Sequence, residues 1–257
     1  MKYIHSLKRV IISFCLFIAL WQIICLVTDF NPSLLPGPKH VWEALLQMFR
    51  GGKIFIDIRD SMYRFAIGYL TAVLCAVILG LIFGWFKKLF AYVYPVIQLI
   101  RPISPMAWMP FIVLLFGIGD IPAIVIIFIA AFFPVLLSTV SAVGNVDKTY
   151  LKVADNFGIK QPHTLTKIIL PAVFPQIANG LHIALGTSWV FLVAGEMIGS
   201  QSGLGYLIID ARNNLRADML LATILIIGSI GLLLDTLIKQ FEKRIFLRWG
   251  YEREVEK

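Results

Sequence analysis

Charge is scarce in this chain. Of its 257 residues only 15 are Asp or Glu and 23 are Lys or Arg, while 59% are hydrophobic. Together with a mean hydropathy of +0.84, this excludes a soluble protein built around a large core and predicts one integral membrane domain. Cysteine is nearly missing as well. Cys15, Cys25 and Cys75 each lie inside an apolar run, which supplies neither a disulfide framework nor a metal spacing. There is no Gly-x-x-x-x-Gly-Lys-Ser/Thr phosphate loop, no His-Glu-x-x-His, no paired-cysteine spacing and no Gly-x-Ser-x-Gly elbow. ATP binding by the usual loop is therefore excluded, and no catalytic residue, metal or cofactor is expected. His5, His40, His163 and His182 fall on four separate segments, so a metal or proton-relay cluster would need an improbable convergence. The net charge of +8 would suit nucleic acid if it were gathered on one face, but the basic residues are spread along the loops, where membrane topology accounts for them.

What is present is a set of long apolar runs. Val10 to Val27 is 18 residues long and no small-x-small cleavage site follows, so it reads as a first span and not as a signal peptide. After the Pro- and Gly-containing stretch NPSLLPGPKH, Pro38 opens a short helix with Val41, Trp42, Leu45, Leu46 and Phe49 on one face, expected to lie in the outer interface. A second span, Arg64 to Phe86, carries Gly68, Ala72, Ala76, Gly80 and Gly84 at intervals of four, a ladder suited to close approach of another helix. Leu89 to Gly117 would reach about 43 Å as one straight helix, too long for a hydrocarbon core of about 30 Å. Pro102, Pro105 and Pro110 are expected to break it. Pro122 begins a fourth span ending near Val143. A fifth runs from about Ala172 to Ile198 and a sixth from Met219 to about Ile238, leading into a basic tail.

Two stretches invite function. A helix broken at membrane depth is tolerated where it faces protein or a water-filled cavity, so Arg101, Ser104 and Trp108 in RPISPMAW are candidates for a translocation path. The alternative is a plain proline kink with Arg101 at an interface. On the fifth span Gly180, Ala184, Ser188, Leu192 and Glu196 share one stripe, making Ser188 and Glu196 further path candidates, with a hydrogen-bonded structural carboxylate as the alternative for Glu196. The second stretch is the polar island Lys152 to Pro175. Asp147 can cap a short helix from Lys148 to Phe157, Gly158 can close it with a left-handed residue, and Pro162 can open a second helix. Leu151, Ala154 and Gly158 line one face of the first helix, beside Tyr150, Val153 and Phe157.

This island resembles the cytoplasmic "EAA" loop of permease subunits in ATP-binding-cassette importers: Lys152-Val153-Ala154, Gly158, Ile168 and Leu170-Pro171 stand at the family's spacings. Lys152 replaces the usual acid and Val153 the first alanine. The likeness to permeases for nitrate, sulfonates, taurine and bicarbonate runs from about Leu35 to Trp249 and includes Gly203-Leu204-Gly205-Tyr206 and Asp210-Ala211-Arg212. It implies an all-α type I importer permease of about six transmembrane helices. Leu151, Ala154, Phe157, Gly158, Leu170 and Pro171 would form or brace a coupling helix that docks on the ATPase. The implied partners are two separate ATPase subunits, a second permease copy and an extracytoplasmic solute-binding protein, with membrane lipid around them, and the implied solute is a small oxyanion. Related permeases carry neutral or aromatic nutrients, and rival classes are a membrane-embedded enzyme and a self-sufficient channel.

The expected division is 1–9 as a tail, 10–28 as the first span, 29–63 as an outer segment with the interfacial helix, and 64–238 as the permease core. The coupling loop occupies 144–168 and a second tail 239–257. Threading with both ends inside places 15 Lys and Arg on inner segments and 6 on outer ones. That bias supports a multi-pass protein of the bacterial cytoplasmic membrane with both termini and the coupling loop cytoplasmic. The small-residue faces on the second and fifth spans are the candidates for the contact between two copies.

Overall fold

The computed structural model describes residues 2–27, 34–159 and 163–249. Among them the chain is helical, in the order α1 (Lys2–Val27), α2 (Pro38–Gly51), α3 (Lys53–Trp85), α4 (Lys87–Ile100), a 3-10 turn (Pro105–Trp108), α5 (Met109–Phe116), α6 (Asp120–Gly144), α7 (Lys148–Asn156), a π-helical turn (Thr164–Ile169), α8 (Leu170–Gly199), α9 (Leu204–Asn213) and α10 (Ala217–Arg248). Four helices are long and apolar enough to cross a bilayer: α3, α6, the π turn with α8, and α10. The α4–α5 pair, bent by 81°, makes a fifth as a broken span. In α1 the apolar stretch Ile12–Val27 is shorter than these, so among the described residues four spans, or five with the bent pair, stand against the six expected.

The core is organised around α6. Small residues decide this, because lipid offers no hydrophobic drive between helices and close backbone approach must supply the attraction. Ala72 and Ala76 of α3 are fully buried. A Cβ at Gly68 would stand 2.8 Å from Ile124 O, one at Gly80 2.5 Å from Thr139 Cβ, and one at Gly84 2.6 Å from Val143 Cβ. From the other side, a Cβ at Gly180 of α8 would stand 2.7 Å from Ser138 Cβ, and Ala184 is fully buried. Both small-residue stripes thus face α6 of the same chain. Neither is free to form a contact between two copies, and that expectation is corrected: α6 supplies bulkier Ile, Val, Thr and Ser side chains to fill both grooves.

Several boundaries also shift. α3 begins at Lys53, directly after α2 turns at Gly52, so residues 53–63 are the first part of a 33-residue helix that continues into the second span. At about 1.5 Å per residue it is some 50 Å long and must project beyond the bilayer. α2 buries Val41, Ala44 and Met48 and leaves Trp42 and Phe49 exposed, so its apolar face is split between protein and surroundings. The region read as an outer loop after the fifth span contains α9. α10 runs ten residues past Ile238, held there by Phe246 and Trp249, whose rings pack edge-on against Phe174 of α8. Pro162 lies outside the described residues. The helix after it runs without a turn into α8, widening to π geometry before Pro171, which lacks the N–H that an α-helical register would use.

Candidate functional site

The segment between α6 and α8 is built as a capped hairpin. Asp147 Oδ1 accepts the Thr149 N–H at 2.8 Å, and that bond holds the Asp147 carboxyl below its ordinary range. At the other end Gly158 adopts φ +65°, and the Ile159 N–H closes back on Ala154 O at 3.0 Å. Thr164 Oγ1 then donates to Ile159 O at 2.9 Å, tying the following helix to the end of α7. Ala154 is fully buried and Leu151 half-buried, while Phe157 is 78% exposed and Tyr150 is exposed beside it. Nothing would touch a Cβ at Gly158, so its conformation, not crowding, demands glycine. Leu170 and Pro171 form the first turn of α8, directly after the π turn.

The broken span lies elsewhere. Its bend falls at Arg101–Ser104, between α4 and the 3-10 turn. A cavity of about 430 Å³ opens there between the break, α6 and α8. Arg101, Ile103 and Pro105 line it with Phe133, Leu137 and Ser138 of α6 and Gly180, Ile183, Thr187 and Phe191 of α8. Arg101 is exposed; its backbone N–H donates to Ile97 O at 2.9 Å, while its guanidinium has no hydrogen bond or ion pair with any described residue. Ser104 is exposed just beyond the lining. Trp108 turns away from the cavity and packs with Met109, Ile112 and Ile126, its Nε1 buried without a partner. Ser188 is fully buried, its Oγ 3.4 Å from Ile127 O.

Glu196 sits in a third place. It is fully buried, and Arg64 of α3 is 2% exposed. Arg64 donates from Nη1 to Glu196 Oε1 and to Ser202 O, and from Nε to Asp120 Oδ1, each at 2.7 Å. Glu196 Oε2 accepts Ser61 Oγ–H at 2.8 Å and the Gly205 N–H at 2.9 Å. Ser61 Oγ accepts the Leu204 N–H at 2.8 Å, and Asp57 Oδ1 the Gly203 N–H at 3.0 Å. Three successive N–H groups at the start of α9 are therefore received by two acids and a hydroxyl, the arrangement that a helix N-terminus favours. The glycines permit it: Gly203 has φ +103°, and a Cβ at Gly205 would lie 2.7 Å from Glu196 Cβ.

Of the sequence-derived path residues, Arg101 alone lines the cavity; Ser104 borders it, and Trp108, Ser188 and Glu196 are committed to packing or to the ionic cluster. Sequence reading missed Asp57, Ser61, Arg64, Asp120 and Ser202 as members of one cluster. A signal existed, since Arg64 opens the second span and Glu196 stands near the close of the fifth, and alternating spans put those two ends on the same side of the membrane.

The profile of the family described as binding-protein-dependent transport system inner membrane component matches residues 72–247. A protein of Methanocaldococcus jannaschii named as an ABC transporter permease is 35% identical over 235 residues, covering 90% of this chain and 88% of its own. The taurine transport system permease protein TauC of Escherichia coli is 31% identical over 233 residues, covering 89% and 85%. Among solved structures, the inward-facing MetNI methionine ABC transporter matches with a TM-score of 0.57 at 16% identity, over 80% of this chain and 94% of that one. That likeness establishes the fold.

Proposed function

Because this chain belongs to the family of binding-protein-dependent transport system inner membrane components, we propose that it is the path-forming subunit of an ATP-driven importer for a small oxyanion. Two copies form the path, two separate ATPases dock on α7 from the cytoplasm, and a binding protein delivers solute at the outer face. Both termini and residues 144–168 lie on the cytoplasmic side of a bacterial cytoplasmic membrane. The observation that carries this is Phe157, a large aromatic left 78% exposed in the turn that closes a short helix capped at both ends. Such a rigid aromatic knob is the kind of residue that fills a partner's pocket and dominates an interface. Leu151, Ala154, Gly158, Leu170 and Pro171 hold it in place.

Arg101 is the path's cationic contact, with Ser104 at its margin. A guanidinium offers an oxyanion paired, charge-assisted hydrogen bonds, and the name of TauC points to a sulfonate in one relative. Trp108 and Ser188 shape the path by packing. Glu196 acts through Arg64, joining the ends of α3, α6, α8 and α9 without touching solute.

Co-purification of the ATPase with tagged permease tests the docking role. Phe157→Ala should weaken retention by roughly tenfold or more, the effect of losing one central aromatic, with the permease still inserted. Gly158→Val should do the same by distorting the turn. Full retention in both variants would overturn the assignment of α7.

A further inference from the structure

The last turns of α10 are tied to the first half of α8 at two places. Phe246 and Trp249 pack edge-on against Phe174, and one turn earlier Glu242 Oε2 stands 2.7 Å from Nε2 of His182. The acid is the unusual member. Glu242 is 6% exposed, and its Oε1 is buried without a hydrogen-bond partner among the described residues, so the imidazole is the group that offsets a carboxylate withdrawn from water. At the other edge of the ring Nδ1 lies 3.7 Å from Asp235 Oδ1, and Lys239 Nζ reaches Asp235 Oδ2 at 2.6 Å. Two acids therefore face one lysine.

The neighbouring helices do not make up the difference. α6 carries no acid or base except Asp120, which is bonded to Arg64, and α8 none except His182 and Glu196. Tyr69 of α3, within electrostatic reach of Glu242, donates its hydroxyl proton to Leu181 O at 2.9 Å. The other bases of α10, Lys243, Arg244 and Arg248, are exposed. The balance thus turns on one ring. A neutral imidazole has a single N–H, which can serve Glu242 while the lone pair of the other nitrogen is turned on Asp235; the imidazolium presents N–H groups to both acids and supplies the missing charge.

We infer that His182 and Glu242 form a proton-binding site that latches the end of α10 to α8, closed while the pair holds its proton and loosened when the proton leaves. The site stands independently of the transport reading. Because the closed form holds a proton that the open form releases, closure is favoured at acid pH and weakens as pH rises through the range in which imidazole loses its charge, about pH 5 to 8. One proton changes the closure constant by at most about tenfold per pH unit. The clamped stretch, Phe174 to His182, belongs to the helix that leads directly out of the α7 hairpin and its π turn, so the latch sets how firmly the base of that hairpin is held.

Hydrogen–deuterium exchange of the full-length chain in zwitterionic nanodiscs, with whatever subunits co-purify, reads the latch in peptides covering residues 239–248. Comparing proteins at one pH cancels the pH dependence of the exchange chemistry itself. Wild type should be protected at least about tenfold more than His182→Gln at pH 6, the effect of one proton over one pH unit, and about equally at pH 8. Glu242→Gln removes the charge that calls for the proton, so its protection relative to His182→Gln should not change between the two values. Should His182→Gln fail to assemble, Glu242→Gln becomes the reference, and the ratio of wild type to it should fall about tenfold from pH 6 to pH 8. A wild-type advantage of equal size at both values would make the pair a plain packing contact and overturn the inference, as would no advantage at either. A pH response that survives in Glu242→Gln would belong to another group and overturn it too.

Discussion

At the scale of single residues, the Arg64–Glu196 pair is kept away from water, whereas the Arg101 guanidinium has no partner among the described residues. The Arg64 guanidinium meets two carboxylates and Ser202, and Glu196 has both oxygens satisfied. Removing one member of such a pair strands the other, at a cost of about 3–5 kcal/mol, whereas removing both costs much less than the sum. Arg64→Ala should therefore sharply lower the thermal stability of the solubilised protein, and Arg64→Met with Glu196→Gln should recover most of it. Tryptophan fluorescence during heating would read this; additive losses would show that the pair is not coupled. Arg101 differs in that its guanidinium has no partner among the described residues and lines the open cavity at the break, the feature from which its role as an anion contact is proposed.

At the scale of helices, the period-four ladder on α3 is a packing device for α6. Large residues cannot enter it, because a Cβ alone at Gly80 or Gly84 already meets Thr139 or Val143. Ala76→Leu should consequently destabilise the single chain, by overpacking worth about 1–3 kcal/mol or more, before it affects any association between copies. Size-exclusion chromatography and thermal unfolding together decide this: a stable chain that merely dissociates into single copies would return the ladder to the subunit contact. The same reasoning means that the contact proposed with a second copy would have to use other surfaces of the molecule. Short elements behave differently. α7 is short, with Ala154 buried and Leu151 half-buried among its described side chains, and its ends are fixed by Asp147 on one side and Gly158 on the other.

At the scale of the whole molecule, the ends of the helices gather into two layers. One layer joins α3, α6, α8 and α9 through Arg64 and Glu196, with Arg216 reaching Gln47 of α2 at 3.2 Å. The other joins Lys87 Nζ to Gly144 O at 3.1 Å, where a cation meets the C-terminus of α6, and packs Phe174 against Phe246 and Trp249. If the charge bias sets orientation as argued, then in intact cells a membrane-impermeant maleimide should label Leu215→Cys in the first layer but not Phe157→Cys beside the second, in a background lacking the native cysteines. The reverse pattern would invert the topology. The sequence by itself determined the all-helical membrane class, the long apolar helices, the break after Ile100 and the caps of α7. Each is a local property: hydropathy over some twenty residues, a proline that removes a donor, an Asp and a Gly at the ends of a short helix. It could not assign partners to faces. That α6 occupies both small-residue grooves, that Glu196 faces Arg64 and not solute, and that Arg101 opens onto an apolar cavity are decided by tertiary structure. A four-residue period names a surface without naming what covers it, and a charge in an apolar run is read as pathway or latch only once the opposite helix is known.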